Sequence, residues 1–408
     1  MEIKNYDHTL TQNMIHNRCT QLITLMYFFC TLYLQAQGTE GTVKHVKVYY
    51  EPGMFGGWPA NHGIWSWGDE IVVGFSKGHY KDLGPDRHNF DKDNPELHVL
   101  ARSLNGGETW TMEDPGAVNG DLVVPDNGSY HGLIRKDVKA PEPIAAEQID
   151  FTNPDLAFTI RMTDHHGAES RLWYSYDRGK DWEGPFKLPN FNTPGIGART
   201  DYIIDGKNEC MLFLTAAKEN GKEGRVLCVK TIDGGKKWNF VSWIGPEPKG
   251  FSIMPASVRI SDKEILVTTR RREESGKFID AYLSHDNGLS WNRLPNPVDN
   301  CGQGNPPAMV KMKDGRICLI YGYRALEEDI KNKRDKSEIR AKISKDNGRT
   351  WSKDYVLRDD GSGKDLGYPR VVQRADGKIV ALYYFMDKNT GPERYIAATI
   401  WNPPSIED

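Results

Sequence analysis

SHDNGLSW, residues 284 to 291, sets an acid, a glycine and a tryptophan in an order that suits one local structure. The Asp286 carboxylate can accept backbone N–H groups within a turn. Gly288 can take a positive φ. Trp291 then begins a strand and packs back over the turn. Four more copies occur: SLNGGETW (Ser103 to Trp110), SYDRGKDW (Ser175 to Trp182), TIDGGKKW (Thr231 to Trp238) and SKDNGRTW (Ser344 to Trp351). One match of this length would say little. Five in register, each after an apolar run, predict a repeat architecture of four-stranded units. The motif is a folding device and receives no catalytic role.

Outward from each copy the same pattern holds. KEILVTTRR and FIDAYLSHD precede the fourth copy, and GRICLIYGYR and IRAKISKD precede the fifth. A unit without the motif ends the chain, GYPRVVQRADGKIVALYYFMD then RYIAATIW. KHVKVYY, residues 44–50, is a spare strand that can pair with this last unit and close the ring, leaving no open sheet edge. Six units are counted. The length also allows seven if the interval between Trp110 and Trp182 hides irregular strands.

Composition agrees with an all-β chain. Its 408 residues include 40 glycines, 18 tyrosines and 11 tryptophans. With 53 basic and 56 acidic side chains the net charge is -3, so nothing draws the chain broadly to nucleic acid or an anionic membrane. QLITLMYFFCTLYLQA (Gln21 to Ala36) has the length of a signal-peptide core and is short for a bilayer span. Residues 1–36 are therefore expected to be a signal peptide, with Met14 a plausible start. Residues 37–408 are expected to be one propeller domain, exported to the periplasm or secreted. No later segment reads as a membrane span. Cys210 and Cys228 lie in apolar strands and read as buried thiols, and no cysteine spacing matches a zinc motif.

Five such boxes on an exported chain resemble the sialidase-like (Asp-box, or BNR-repeat) β-propellers. That superfamily holds sialidases, other glycosidases, lyases and non-enzymes, so the fold alone does not fix the activity. Sialidases typically carry an R-I-P segment early in the chain, and this sequence has HGIWSWG there. FGGWPANHGIWSWGDEIVVGF (Phe55 to Phe75), with KGHYKDLGPDRH and GYPRVVQRADGK, is more similar to the propeller α-L-rhamnosidases that remove rhamnose linked to glucuronic acid on arabinogalactan side chains. In that family a histidine at the start of the first blade is the main catalytic residue. The resemblance therefore implies that His62 is catalytic, with assistance from the substrate.

In a blade of this kind the box joins the third strand to the fourth, so the opposite face carries the lead-in to each innermost strand and the loop between the second and third strands. That reasoning sets His62 at the mouth of the first inner strand, with Trp58 and Asn61 beside it. The other tryptophans of that stretch read as packing. The long loop Ser76 to Leu97 brings His79, Arg87 and His88 to the same face. Other lead-ins and second-strand ends add Arg199, Asp201, Arg270, Arg324, Tyr368 and Arg370. These residues, Arg324 aside, form the candidate substrate-binding set. Arginines suit a bidentate grip on a carboxylate, which points to a glycan ending in an acidic sugar pair. Glu70, Asp201 and Glu327 are acid candidates by location only, and no confident carboxylate pair emerges. No cofactor motif appears, although a structural calcium in the channel is compatible with the fold. A lyase and a non-catalytic glycan binder remain the alternatives.

Overall fold

Short apolar runs separated by glycine-rich turns can bury both faces only by stacking sheet on sheet, and the chain does so as a ring. A computed structural model describes residues 41–84, 87–117, 122 and 142–405. The expected signal peptide, 1–36, and part of the interval between Trp110 and Trp182, residues 118–121 and 123–141, lie outside them. Of the described residues, Gly41, Thr42 and 402–405 group apart from the rest, and there the Gly41 N–H donates to the Asn402 carbonyl and the Asn402 N–H to the Thr42 carbonyl. The larger unit, Val43–Trp401, is a six-bladed β-propeller.

Strand β1 (Val43–Tyr49) is the expected spare strand. In the first blade β2 (Met54–Gly57) and β3 (Ile64–Trp67) both pair with β4 (Glu70–His79), followed by β5 (Leu97–Ser103) and β6 (Thr111–Glu113). The second blade has β7 (Ala157–Met162), β8 (Ser170–Ser175) and β9 (Glu183–Lys187) among the described residues. The third runs β10 (Tyr202–Gly206), β11 (Glu209–Ala217), β12 (Glu223–Thr231) and β13 (Asn239–Trp243). The fourth runs β14 (Phe251–Arg259), β15 (Ile265–Glu273), β16 (Gly276–Ser284) and β17 (Asn292–Val298). The fifth runs β18 (Pro307–Lys311), β19 (Ile317–Tyr323), β20 (Ser337–Ser344) and β21 (Tyr355–Gly361). In the last, β22 (Gly367–Gln373), β23 (Ile379–Phe385) and β24 (Tyr395–Trp401) are completed by β1, antiparallel to β24 from Val43↔Trp401 to Tyr49↔Ile396.

Each box works as its sequence suggests. Ser284 Oγ donates to Asp286 Oδ1 at 2.8 Å and accepts the Gly288 N–H, while Asp286 Oδ1 takes the Ser290 N–H at 2.9 Å. Asn287 and Gly288 stand at φ 59° and 82°, a pair of left-handed residues that asparagine and glycine supply at low cost. The turn also docks on the preceding blade. Gly288 lies against Met211 and Cys228 of the third blade, and Gly348 against Leu266 of the fourth. The core is accordingly a set of layers between blades. Phe55, Val73 and Val99 of the first blade pack with Val380, Leu382 and Ile396 of the sixth, which closes the ring hydrophobically as well as by hydrogen bonds. Cys210, Cys228, Cys301 and Cys318 are buried free thiols.

Candidate functional site

The innermost strand of the first blade is broken. β2 ends with Gly57↔Ser76 and β3 begins with Ile64↔Val73, so six residues, 58–63, stand opposite only Gly74 and Phe75. They bulge into the channel as a short 3-10 turn, Pro59–Asn61, with Trp58 left-handed at φ 57°. Arg370 on β22 pins this bulge, donating to the carbonyls of Pro59 (3.4 Å), Ala60 (2.7 Å) and His62. Burial takes the Arg370 guanidinium down to about 10, against the pull of Asp201.

His62 stands two residues before β3, at the lead-in where it was expected, but it is enclosed rather than open to the channel. It lies inside the bulge at 2% exposure, over Gly74, where an added Cβ would come within 2.8 Å of the His62 Cβ. Its Nε2 is 3.1 Å from Ser76 Oγ, which donates to Glu96 at 2.7 Å, and its ring meets His98 edge-on. Burial, then the charges of Arg161 and His98, hold its pKa well below the ordinary value, so the ring is neutral at pH 7. Trp58 also departs from expectation. At 1% exposure it packs on Phe55, Phe90 and Tyr384 as core, not as a stacking platform.

On the face opposite the boxes, the start of β22 presents Tyr368. Its backbone is left-handed at φ 50°, a conformation that costs a non-glycine residue energy and tends to persist where the surroundings enforce it. Asn305, fully buried, enforces it: its Oδ1 accepts the Tyr368 N–H at 2.9 Å and its Nδ2 donates to the Leu366 carbonyl at 2.9 Å. Gly367 is required there, because a Cβ would sit 2.3 Å from Asn305 Nδ2. Arg270 Nη1 donates to the Tyr368 hydroxyl at 2.9 Å, and the Arg324 guanidinium lies 5.1 Å from the ring centre. Burial pushes the phenol up, but Arg270, Arg324 and Arg199 outweigh it and draw the pKa below its ordinary value.

Behind this centre Asp365 gathers a buried network. His88 Nδ1 approaches it at 2.7 Å, Tyr384 donates to it at 2.5 Å and Arg394 at 3.1 Å. Against burial, His88, Arg394 and Arg324 hold its carboxyl well below the usual carboxylate range. Arg324 Nε also donates to the Leu366 carbonyl at 2.7 Å. Asn305, Asp365 and Tyr384 were outside the candidate set. Tyr384 sits in the apolar run ALYYF and Asp365 in the polar turn GSGKDLG, so neither stood out in the sequence.

The remaining candidates separate. His88 is half-exposed at the rim, and His79 and Arg87 are exposed without a part in the network. Arg199 is engaged by Glu223 at 2.7 Å and by Asn61 at 3.4 Å. Glu70 holds Arg102 and Arg178 as a structural ion-pair set. The Glu327 side chain lies outside what is described. Asp201 lines a 180 Å³ cavity deeper in the channel with Thr200, Tyr202, Ser257 and Arg370. Its Oδ1 takes the Ser257 hydroxyl, its buried Oδ2 has no hydrogen-bond partner among the described residues, and burial raises its pKa to about 7. No described group of three His, Cys, Asp or Glu side chains could hold a metal ion, and no described helix is long and apolar enough to cross a membrane.

Comparison with known proteins agrees with this architecture. The profile of the BNR repeat-like domain matches residues 151–381. A protein of unknown function from Dyadobacter fermentans superposes with a TM-score of 0.63 at 18% identity, over 89% of this chain and 99% of that one. The Trypanosoma rangeli sialidase in complex with sialic acid gives 0.53 at 13% identity, over 88% of this chain but 59% of its own. The Penicillium chrysogenum α-L-arabinanase complexed with arabinobiose gives 0.53 at 12% identity, over 88% and 98%. At these identities the likeness is one of fold. No curated protein sequence matches the chain significantly.

Proposed function

From a chain that belongs to the BNR repeat-like domain family, and from the centre its blades enclose, we propose an enzyme that cleaves a terminal sugar from an acidic glycan. The observation that carries this reading is Tyr368, held on a left-handed backbone with its hydroxyl on Arg270 and its ring beside Arg324. Guanidinium groups there suit a carboxylate, and a phenol beside them can hand a proton to or from the scissile oxygen. The finer form is an exported α-L-rhamnosidase acting on rhamnose linked to glucuronic acid. In it the arginines hold the glucuronate and Tyr368 faces the glycosidic bond. His62, neutral and enclosed, then acts as a positioning residue for the bulge that walls the site.

A second reading draws support from the same tyrosine. A phenol pulled down by arginines can serve as the base of a lyase. It would take the proton beside the uronate carboxylate. The electron pair left behind forms a carbon–carbon double bond as the bond to the leaving oxygen breaks. One assay separates the two. A rhamnose-capped arabinogalactan oligosaccharide is incubated with the protein while free rhamnose and unsaturated-uronate absorbance are followed. Free rhamnose without new absorbance is the expected result. New absorbance would mark a lyase, and neither signal would remove the enzymatic reading.

A further inference from the structure

The fourth blade carries basic side chains that the fold does not neutralise. Arg270 and Arg272 leave the same side of β15, and Lys277 is the register partner of Arg272 on β16. Lys277 and Arg270 converge over Gly304, where a Cβ would meet Lys277 Cδ at 3.3 Å and Arg270 Nε at 3.6 Å. Gly304, at φ 90°, keeps that floor bare. Lys277 Nζ donates to Gln303 Oε1 at 3.0 Å, and the buried Arg270 Nε has no hydrogen-bond partner among the described residues. None of Arg270, Arg272 and Lys277 makes an ion pair among the described residues.

Such a group repels itself. Burial first, then Arg272 and Arg270, with Lys364 adding, take the Lys277 ammonium below its ordinary value. An anion set against these side chains relieves the repulsion and supplies acceptors that the Lys277 ammonium and the exposed Arg272 guanidinium can use. The Tyr368 side of Arg270 already faces the carboxylate of the proposed substrate, so the Lys277 side is a separate position.

We infer that Lys277 and Arg272, backed by the charge of Arg270, form a second anion subsite, which selects a glycan carrying a sulfate ester or a further carboxylate next to its uronate. The inference rests on the acidic-glycan reading of the Tyr368 centre. Calorimetric titration with three probes tests it: a glucuronate-terminated disaccharide, the same disaccharide bearing one sulfate ester, and a di-uronate disaccharide. At least one doubly charged probe should bind roughly tenfold more tightly than the singly charged one, the gain of about one charge-assisted hydrogen bond. Whichever gains names the source of the anion. Lys277→Gln should bring that ratio close to one, while Lys180→Gln, on an exposed box turn, should leave it. Binding of all three probes without preference, or a preference that survives Lys277→Gln, would overturn the second subsite alone. Failure of all three to bind would remove the acidic-glycan reading beneath it.

Discussion

At the scale of single residues, the site turns on which polar groups are already satisfied. Arg370 and Arg199 were expected to grip substrate, but bulge carbonyls and Glu223 occupy them. Arg270 instead donates to the Tyr368 hydroxyl. Tyr368→Phe should therefore leave the fold intact and lower kcat by at least ~10²-fold, with a smaller change in KM. Steady-state kinetics beside a thermal melt will show it, and near-normal turnover would move the chemistry elsewhere. Asp201 makes a second test through pH. Its folded pKa of about 7 lies above the ordinary carboxylate value, so between about pH 4 and 7 the native state holds more protons than the unfolded state. Stability contributed by this group falls as pH rises through that window. Asp201→Asn should consequently gain on wild type from pH 4 to pH 7, by at most about 4 kcal/mol, and level off above. A constant difference in unfolding free energy across that range would contradict the assignment.

At the scale of elements, the sequence was legible where physics is local. The boxes announced themselves because a turn acid, a left-handed glycine and a packing tryptophan must lie close in sequence. The spare strand β1 was readable for a related reason, since a propeller needs a last partner for β24. The bulge at 58–63 was not readable. Nothing in WPANHG states that β2 and β3 share one partner strand, and so His62 was expected at a mouth and lies enclosed. The Asn305 clamp on Tyr368 joins residues 63 positions apart and leaves no local pattern either. The bulge makes its own prediction. Arg370→Met keeps the volume but strands the carbonyls of Pro59, Ala60 and His62. It should cost about 2–4 kcal/mol, read from denaturant unfolding. Activity should fall with it, because Ala60 packs in the cluster that Tyr368 borders. Unchanged stability would mean that the bulge holds itself.

At the scale of the whole molecule, the ring brings residues of five blades into one site. Tyr368 comes from the sixth blade, Arg324 and Asn305 from the fifth, Arg270 and Lys277 from the fourth, Arg199 from the third and the 58–63 bulge from the first. The inter-blade layers that close this ring hold those groups in register. Such a scaffold serves many chemistries, so the likeness to sialidase and arabinanase folds leaves the substrate to be decided by charge. Charge is therefore the most direct test. Wild-type protein is given a rhamnose-capped glucuronate oligosaccharide and the same oligosaccharide with its carboxyl reduced to an alcohol, and kcat/KM is measured for both. The account predicts a loss of roughly 10- to 100-fold on reduction, the worth of one or more charge-assisted bonds at the arginines. Equal kcat/KM for the two would contradict it.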